Sequence, residues 1–336
     1  MASVAKARSP KSTQSNSLVY DLLVLSRFTK YNPLFTIFAG GMFLFVASFP
    51  TTAFSCLLAG STLVGNGSDV TLTWVFRQTA LCLSACYSFC GAGMVWNDWI
   101  DRDIDANVAR TKDRPLASGR VTTTQAMLWM VFQMAVSWWL LHFMLDGKDV
   151  NNHMLPVVIG SFLYPFGKRP ICSKFYFYPQ YILGFTIAWP AVPGRTAIFH
   201  GQETFAESVQ ACMPLLNMVF FWTIFLNTAY SYQDVVDDRK MGVNSFYNVL
   251  GKHVHLLLCL LLVPVAVCVP MYLNQFHSTW LWVSWAGVWA LSLLRQITRF
   301  DEKNPASGGS LHVDNFLLGA WTVVACTIEL LMRYYS

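Results

Sequence analysis

Charged side chains are scarce in this chain. Asp, Glu, Lys and Arg make up 12% of its 336 residues, whereas 54% are hydrophobic and the mean hydropathy is +0.42. Ordinary soluble domains carry about 25% charged residues. This scarcity excludes a soluble globular protein and indicates a polytopic membrane protein. No basic stripe with interleaved aromatic residues is present, so we expect no nucleic-acid partner.

The sequence also lacks the cysteine and histidine patterns of common metal and redox sites. Its nine cysteines contain no Cys-x-x-Cys pair, and its seven histidines are scattered without the spacing of a zinc or haem site. Cys82, Cys86 and Cys90 form one helical stripe. Such a stripe is typical of a redox or metal site, or of small residues that let membrane helices pack closely. We favour packing.

Long apolar runs are abundant, and a membrane-spanning helix needs roughly 20 such residues. We place spans at 33–64, 72–96, 121–145, 153–166, 177–193, 211–230, 254–273, 279–297 and 312–333. The sequence therefore predicts an all-α polytopic membrane protein with nine transmembrane helices. It also predicts a flexible basic tail at 1–26, a single transmembrane domain at 27–336 and a flexible loop at 301–310.

Basic residues favour one side of this topology. Of the 23 Lys and Arg residues, all but four lie in segments on the same side as the N-terminus. The exceptions are Arg77, Lys148, Arg195 and Arg333. The positive-inside rule makes that side cytoplasmic, or the matrix side in an organelle. The basic, Ser-rich start fits a transit peptide or a disordered tail. We favour an endomembrane location, with the mitochondrial inner membrane as the alternative.

An acidic run follows the second span directly, and we call its four oxygen-bearing residues the first motif. They are Asn97, Asp98, Asp101 and Asp105. At about 100° per residue, all four fall on one face of a helix. Carboxylates at a membrane-helix end repel one another and are costly to desolvate, so the cluster indicates a bound cation. Hard oxygen donors on one face suit Mg²⁺ that also binds substrate phosphates.

A second acidic run follows the sixth span. Its residues Tyr230, Asp234 and Asp238, which we call the second motif, are spaced i, i+4 and i+8. Both runs follow even-numbered spans, so both reach the same side of the membrane. A solvated helix end would explain one such pair of acids. Two equivalent pairs favour a cluster of Mg²⁺ ions that binds a diphosphate.

Basic residues near these runs are candidates for binding diphosphate oxygens. Lys112 and Arg114 follow the first motif, and Lys168 and Arg169 follow the fourth span. Arg supplies planar donor forks and Lys supplies point charges for phosphate oxygens. Arg114 and Lys168 are the strongest candidates, whereas an interfacial anchor is the stronger interpretation for Arg169.

These motifs together resemble those of the UbiA superfamily of intramembrane aromatic prenyltransferases. Asn97-Asp98-x-x-Asp101-x-x-x-Asp105 resembles its NDxxDxxxD motif, and Arg114-Pro115-Leu116 with Gly119 resembles its RPL-x-x-G segment. Tyr164-Pro165-Phe166 with Lys168-Arg169 resembles its YPF-x-KR loop. Tyr230-x-x-x-Asp234-x-x-x-Asp238, with Lys240, Gly242 and Ser245, resembles its second aspartate motif. Arg27 and Pro33 are placed like its N-terminal Arg…Pro segment.

The resemblance implies nine helices around a central cavity and an active site at the cytoplasmic or matrix face. It implies transfer of an isoprenoid from an allylic diphosphate to an aromatic acceptor, with Mg²⁺ as cofactor. The expected metal ligands are Asn97, Asp98, Asp101, Asp105, Asp234 and Asp238. The expected catalytic residues are Asp98, Asp101, Asp234, Asp238 and Tyr230. The expected diphosphate-binding residues are Arg114, Lys168, Lys112, Arg27, Arg169 and Tyr164.

One departure from the family bears on the acceptor. Asn227 stands where many quinone-pathway members have Asp, which favours an enzyme of specialised metabolism. Its donor is expected to be farnesyl or geranylgeranyl diphosphate, with farnesyl favoured, and its acceptor a phenolic acid or polyketide. The expected partners are thus a prenyl diphosphate, an aromatic small molecule and membrane lipid.

Other functions remain as alternatives at this point. One is a 4-hydroxybenzoate polyprenyltransferase of ubiquinone synthesis. Another is a cation-coupled transporter, although its acids would be expected near the middle of the membrane. A CDP-alcohol phosphotransferase would need a DG-x-x-AR opening, which the sequence does not contain.

Overall fold

A computed structural model describes residues 17–29, 51–107 and 111–336. Within these ranges the regular structure is entirely helical, with no β-strand. Helices satisfy all backbone hydrogen bonds within one segment, as a bilayer demands. Five helices of the described residues are long and apolar enough to cross a membrane. They are Leu72–Asp105, Thr123–Met144, Phe205–Met241, Phe246–Phe276 and Ala306–Tyr335. The all-α membrane prediction is confirmed, and the count of nine spans is not established.

The α-helices are labelled here in chain order. The first seven are α1 Leu18–Leu25, α2 Ala59–Gly65, α3 Leu72–Asp105, α4 Thr123–Met144, α5 Val150–Gly167, α6 Pro170–Ser173 and α7 Pro179–Ala188. The others are α8 Ala191–Ile198, α9 Phe205–Ser231, α10 Val235–Met241, α11 Phe246–Leu250, α12 Val254–Leu273, α13 Gly287–Arg299 and α14 Ala306–Tyr335. Short π-helical segments precede α2 and α13 at Ala53–Leu58 and Leu281–Ala286.

Several predicted boundaries differ from the observed ones. Of the first predicted span, residues 33–50 lie outside the described residues, as do Pro33 and most of the predicted tail. The last part of that tail forms α1. The fifth predicted span is divided between α7 and α8, because Pro190 caps the second helix and has no backbone N–H to continue the first.

The core lies along the buried faces of the long helices. Helix α9 packs against α7, α12 and α14, while α3 packs along α4. Trp222, Trp285 and Trp289 are almost completely buried between these helices. The indole N–H groups of Trp285 and Trp289 both donate to Thr322 Oγ1 at 3.0 Å, so the large rings are buried without an unpaired donor.

The predicted loop at 301–310 is wrong in its second half, because α14 already begins at Ala306. Its glycines allow two helices to approach closely. A Cβ atom at Gly308 would lie 1.9 Å from the backbone oxygen of Ala229 on α9, and one at Gly309 would lie 2.7 Å from the side chain of Gln233. Small residues serve this purpose in membrane helix packing. The start of α14 therefore supports the chain just before Asp234.

We expect Gly308→Ala to destabilise the protein and to lower its activity. The added methyl group meets a backbone atom, so α14 and α9 must move apart, at a cost of about 1–3 kcal/mol. Gly287→Ala is the matched control, since the nearest atom to its Cβ would be 3.9 Å away. Thermal unfolding of both variants in detergent checks the prediction, and equal midpoints would contradict it.

Candidate active site

The first motif occupies the last turns of α3, not a loop beyond it. The 34-residue helix runs from Leu72 to Asp105, so the predicted helical spacing applies throughout the motif. Asp98, Asp101 and Asp105 are buried, whereas the side chain of Asp103 is 91% exposed. The prediction of one acidic face is therefore confirmed.

Four basic side chains surround this face, and we call them the four-cation cluster. They are Arg27, Arg114, Lys168 and Arg169. Arg27 Nη2 lies 2.8 Å from Asp98 Oδ1, and Arg114 Nη1 lies 3.0 Å from the same oxygen. Arg114 Nη1 also lies 2.7 Å from Asp105 Oδ2. Two guanidinium groups thus hold Asp98, whose other oxygen, Oδ2, is buried without a hydrogen-bond partner among the described residues.

The other two cations reach the motif from the end of α5. Lys168 Nζ lies 2.6 Å from Asn97 Oδ1 and 2.8 Å from Asp101 Oδ2, and Arg169 Nη2 lies 3.1 Å from Asp101 Oδ1. Arg169 therefore contacts the site directly. Burial lowers the pKa of the Lys168 ammonium, but Tyr164 and Asp101 outweigh this effect and place the pKa above its usual value. Lys168 is charged at neutral pH, with its Nζ 4.8 Å from the centre of the Tyr164 ring.

A small apolar cluster beside α3 helps to position Arg27 and Arg114. Leu25 of α1 and Leu116 of the loop that carries Arg114 both pack with Val95 of α3. Arg120 Nε adds an ion pair at 3.1 Å to the buried Asp21 of α1. This packing and this ion pair attach the short helix α1 to the site, so that Arg27 points at Asp98.

The backbone of Arg27 is left-handed, with φ of 62°. It ends α1 in a Schellman motif, in which Arg27 N–H donates to Val24 O and Phe28 N–H donates to Leu23 O. Glycine is the usual residue there, because other residues pay about 1–2 kcal/mol for this conformation. The ion pair between the Arg27 side chain and Asp98 explains why an arginine stands at this strained position.

Arg27→Gly and Arg27→Ala therefore separate backbone strain from function. Both remove a charge-assisted hydrogen bond worth about 1.5–3 kcal/mol, so we expect the KM for the diphosphate substrate to rise about 10- to 100-fold in each. Arg27→Gly should be the more stable variant by about 1 kcal/mol. Steady-state kinetics and thermal unfolding test this, and equal stability of the two variants would contradict the strain argument.

The second motif is not one continuous helix. Tyr230 lies near the end of α9, a 3₁₀ turn covers Tyr232–Asp234, and Asp238 lies on α10. The 3₁₀ turn winds more tightly than an α-helix, so the predicted i, i+4, i+8 face is not regular here. Asp238 accepts a short hydrogen bond from the hydroxyl of Tyr247 on α11.

Asn244, in the segment after the second motif, contacts the backbone of Lys168 from the four-cation cluster. Its backbone N–H donates to Lys168 O at 2.8 Å, and its Nδ2 donates to Gly167 O at 2.9 Å and Phe177 O at 2.8 Å. Asn244 lies three residues after the end of α10 and is buried. The segment after the second motif therefore contacts residues 167–169, whose Lys168 and Arg169 side chains contact the first motif.

The described residues contain no group of three His, Cys, Asp or Glu side chains close enough to hold a metal ion by themselves. Asp98, Asp101 and Asp105 thus form no all-carboxylate cage. The amide oxygen of Asn97 and the unpaired Asp98 Oδ2 remain as hard oxygen donors beside them. A site of this kind fits a metal that takes one or two carboxylates and completes its shell with phosphate and water.

Comparison with known proteins decides the family. Residues 52–321 match the UbiA prenyltransferase family. The chain belongs to this family. Polyprenyl transferase dpchC of Colletotrichum higginsianum is 60% identical to this prenyltransferase over 321 residues, covering 95% of this chain and 98% of the relative.

Solved structures agree on the fold of this prenyltransferase. The apo structure of a UbiA homolog from Aeropyrum pernix has a TM-score of 0.64 at 20% identity and covers 84% of this chain and 98% of its own. A UbiA homolog from Archaeoglobus fulgidus bound to DMAPP and Mg²⁺ has a TM-score of 0.57 at 16% identity and covers 85% and 98%. The protein is an integral membrane prenyltransferase, and the transporter alternative is wrong.

One predicted residue of this prenyltransferase, Lys112, is not part of the four-cation cluster, and some contacts were not predicted. Lys112 is exposed and has no ion pair within the described part of the chain. Tyr230 and Asp234 are half-buried near the start of the second motif. Asn244 and Tyr247 were missed, because each acts across a turn for which no helical spacing gives a signal.

Proposed function

We propose that this prenyltransferase carries out Mg²⁺-dependent transfer of an isoprenoid, with farnesyl favoured, from its allylic diphosphate to a ring carbon of a phenolic or polyketide acceptor. The observation that carries the proposal is the four-cation cluster on the buried first motif. Such a site provides positive charge for a diphosphate beside oxygens for its metal. The high identity to a fungal polyprenyl transferase supports the same activity.

The residues that would hold Mg²⁺ are those of the first motif together with Asp234 and Asp238. Bound there, the metal would neutralise negative charge on the diphosphate as the C–O bond breaks. The Archaeoglobus fulgidus homolog that binds DMAPP and Mg²⁺ supports this assignment. The oxygen-only donor set and the orphaned Asp98 Oδ2 fit a hard cation.

The protein's own side chains then bind and orient the reacting group. Arg114 and Lys168 bind the diphosphate oxygens and stabilise the charge that develops on the leaving group. The ammonium group of Lys168 lies over the ring of Tyr164, and we assign to Tyr164 and Tyr230 the stabilisation of the allylic cation. An electron-rich ring carbon of the acceptor attacks this cation, and the ring then loses its proton.

We also propose nine membrane crossings, with both motifs on the cytoplasmic side of an endomembrane. The five long helices and the shorter α2, α5 and α13 support this topology, with α7 and α8 together as one further crossing, as do the basic residues around the motifs. Labelling of single introduced cysteines from each side of sealed vesicles would test it. Labelling of Lys112→Cys and Lys148→Cys from the same side would overturn it.

One assay tests the reaction. Purified protein is incubated with Mg²⁺, dimethylallyl, geranyl, farnesyl or geranylgeranyl diphosphate and a panel of phenolic acids and aromatic polyketides, and products are read by mass spectrometry. A farnesylated polyketide or phenolic acid is the expected product. Transfer only to 4-hydroxybenzoate would favour the ubiquinone alternative, and transfer to no aromatic acceptor would overturn the proposal.

A further inference from the structure

The protein's own cations already contact most of the first-motif oxygens that are proposed to hold Mg²⁺. Lys168 Nζ bridges Asn97 Oδ1 and Asp101 Oδ2 at 2.6 and 2.8 Å. Arg169 takes the other oxygen of Asp101, and Arg114 and Arg27 share Asp98 Oδ1. The four-cation cluster is thus paired with the three carboxylates of the first motif.

This pairing opposes the binding of Mg²⁺ alone. A metal that takes the oxygens bridged by Lys168 displaces the ammonium group, which is then left partly buried without its partners. An unpaired charge in a buried position is costly. Mg²⁺ by itself also adds two positive charges next to four cations that are already paired with the first motif.

The same ion pairs also oppose the binding of diphosphate alone. The guanidinium and ammonium groups that would bind it are engaged by carboxylates, and its negative charges would lie beside Asp98, Asp101 and Asp105. When metal and diphosphate bind together, neither the displaced cations nor the carboxylates are left unpaired. The metal takes the carboxylate oxygens, and the released cations take the diphosphate oxygens.

We propose that Mg²⁺ and diphosphate bind this site cooperatively through an exchange of ion-pair partners, in which Lys168 holds the place of Mg²⁺ until diphosphate arrives. The inference rests on the proposed function and adds how the same site is loaded. Such coupling is reciprocal, so each ligand raises the affinity for the other by the same factor. It restricts tight metal binding to the substrate-bound enzyme.

Isothermal titration of the full-length protein in lipid nanodiscs measures the coupling directly. Mg²⁺ is titrated alone and in the presence of inorganic pyrophosphate, and pyrophosphate is titrated with and without Mg²⁺. A protein-free titration gives the Mg²⁺–pyrophosphate association in solution, from which the free concentrations follow. We expect the Kd for free Mg²⁺ to fall about 5- to 150-fold when pyrophosphate is present.

Lys168→Met distinguishes the proposed exchange from simple diphosphate binding, because the two predict different affinities for Mg²⁺ alone. Without the ammonium group, Mg²⁺ alone should bind more tightly than to the wild-type protein, whereas pyrophosphate should bind more weakly. A lysine that only contacts diphosphate would leave the affinity for Mg²⁺ alone unchanged. Lys174→Met is the matched control, because this exposed lysine is on the same segment but contacts neither motif. It should leave both affinities near the wild-type values.

The outcomes separate the inference from the proposed function. Equal Mg²⁺ affinity with and without pyrophosphate would overturn the exchange but leave a Mg²⁺–diphosphate enzyme. Failure of Mg²⁺ and pyrophosphate to bind even together would overturn both. The wild-type titrations decide the matter even if Lys168→Met does not fold, and Arg169→Gln, which frees Asp101 Oδ1, provides a second variant with the same expected direction.

Discussion

Asp98→Asn is expected to reduce prenyl transfer about 100- to 1000-fold, the loss typical of removing one preorganised electrostatic group. Asp98 is 1% exposed, and its Oδ1 accepts from both Arg27 and Arg114. The amide has nearly the same shape but no negative charge. It can neither neutralise two guanidinium groups nor offer a charged oxygen to Mg²⁺ through Oδ2. Initial rates at saturating and limiting prenyl diphosphate measure the loss.

Asp103→Asn is the control for this prediction. It makes the same chemical change five residues further along α3, on the opposite and exposed face. Exposed substitutions usually change free energies by less than about 0.5 kcal/mol, so activity should stay within about twofold of the wild type. If Asp98→Asn retained wild-type Mg²⁺-dependent transfer, Asp98 would not belong to the active site.

The first motif shows what sequence periodicity predicts well. Its four residues lie on one unbroken helix, so a rule of about 3.6 residues per turn places Asp98, Asp101 and Asp105 on the buried face and Asp103 outside. The predicted span nevertheless ended at residue 96. A window of apolar composition stops where charges begin, although these charges face the protein interior and the helix continues.

In the second motif, helical periodicity does not predict which residues share a face. A 3₁₀ turn at Tyr232–Asp234 changes the rotation per residue, so the spacing of Tyr230, Asp234 and Asp238 does not by itself fix one face. The residues that organise this region come from other segments. Asn244 and Gly308 act through tertiary contacts with Lys168 and Ala229.

Amino-acid composition also gave a wrong secondary-structure prediction for one segment. Segment 301–310 has the Gly, Ser and Pro content of a flexible loop, but Gly308 and Gly309 are needed because α14 passes so close to α9. The same residue type that frees a chain in water allows close packing between membrane helices. Only the position of the neighbouring helix distinguishes the two roles, and a single sequence does not contain it.

The second large effect is expected at Asp238. Asp238→Asn should lower activity about 100- to 1000-fold if this carboxylate is a metal ligand, on the same electrostatic grounds as Asp98. Tyr247→Phe keeps the carboxylate and removes only the hydroxyl that donates to it. Groups that orient a metal ligand typically contribute about 10- to 100-fold, so the tyrosine variant should be clearly less impaired. Metal-dependence curves for both variants measure the difference.

The double variant tests whether Tyr247 acts through Asp238. If the hydroxyl serves only to orient the carboxylate, Asp238→Asn with Tyr247→Phe should be no worse than Asp238→Asn alone, because residues in direct contact are not additive. Tyr247→Phe alone should raise the Mg²⁺ concentration needed for half-maximal rate, while Tyr335→Phe, at an exposed position on the last helix, should not. Additive losses, or an unchanged Mg²⁺ requirement in Tyr247→Phe, would show that Tyr247 supports the fold of α11 and has no part in placing Asp238.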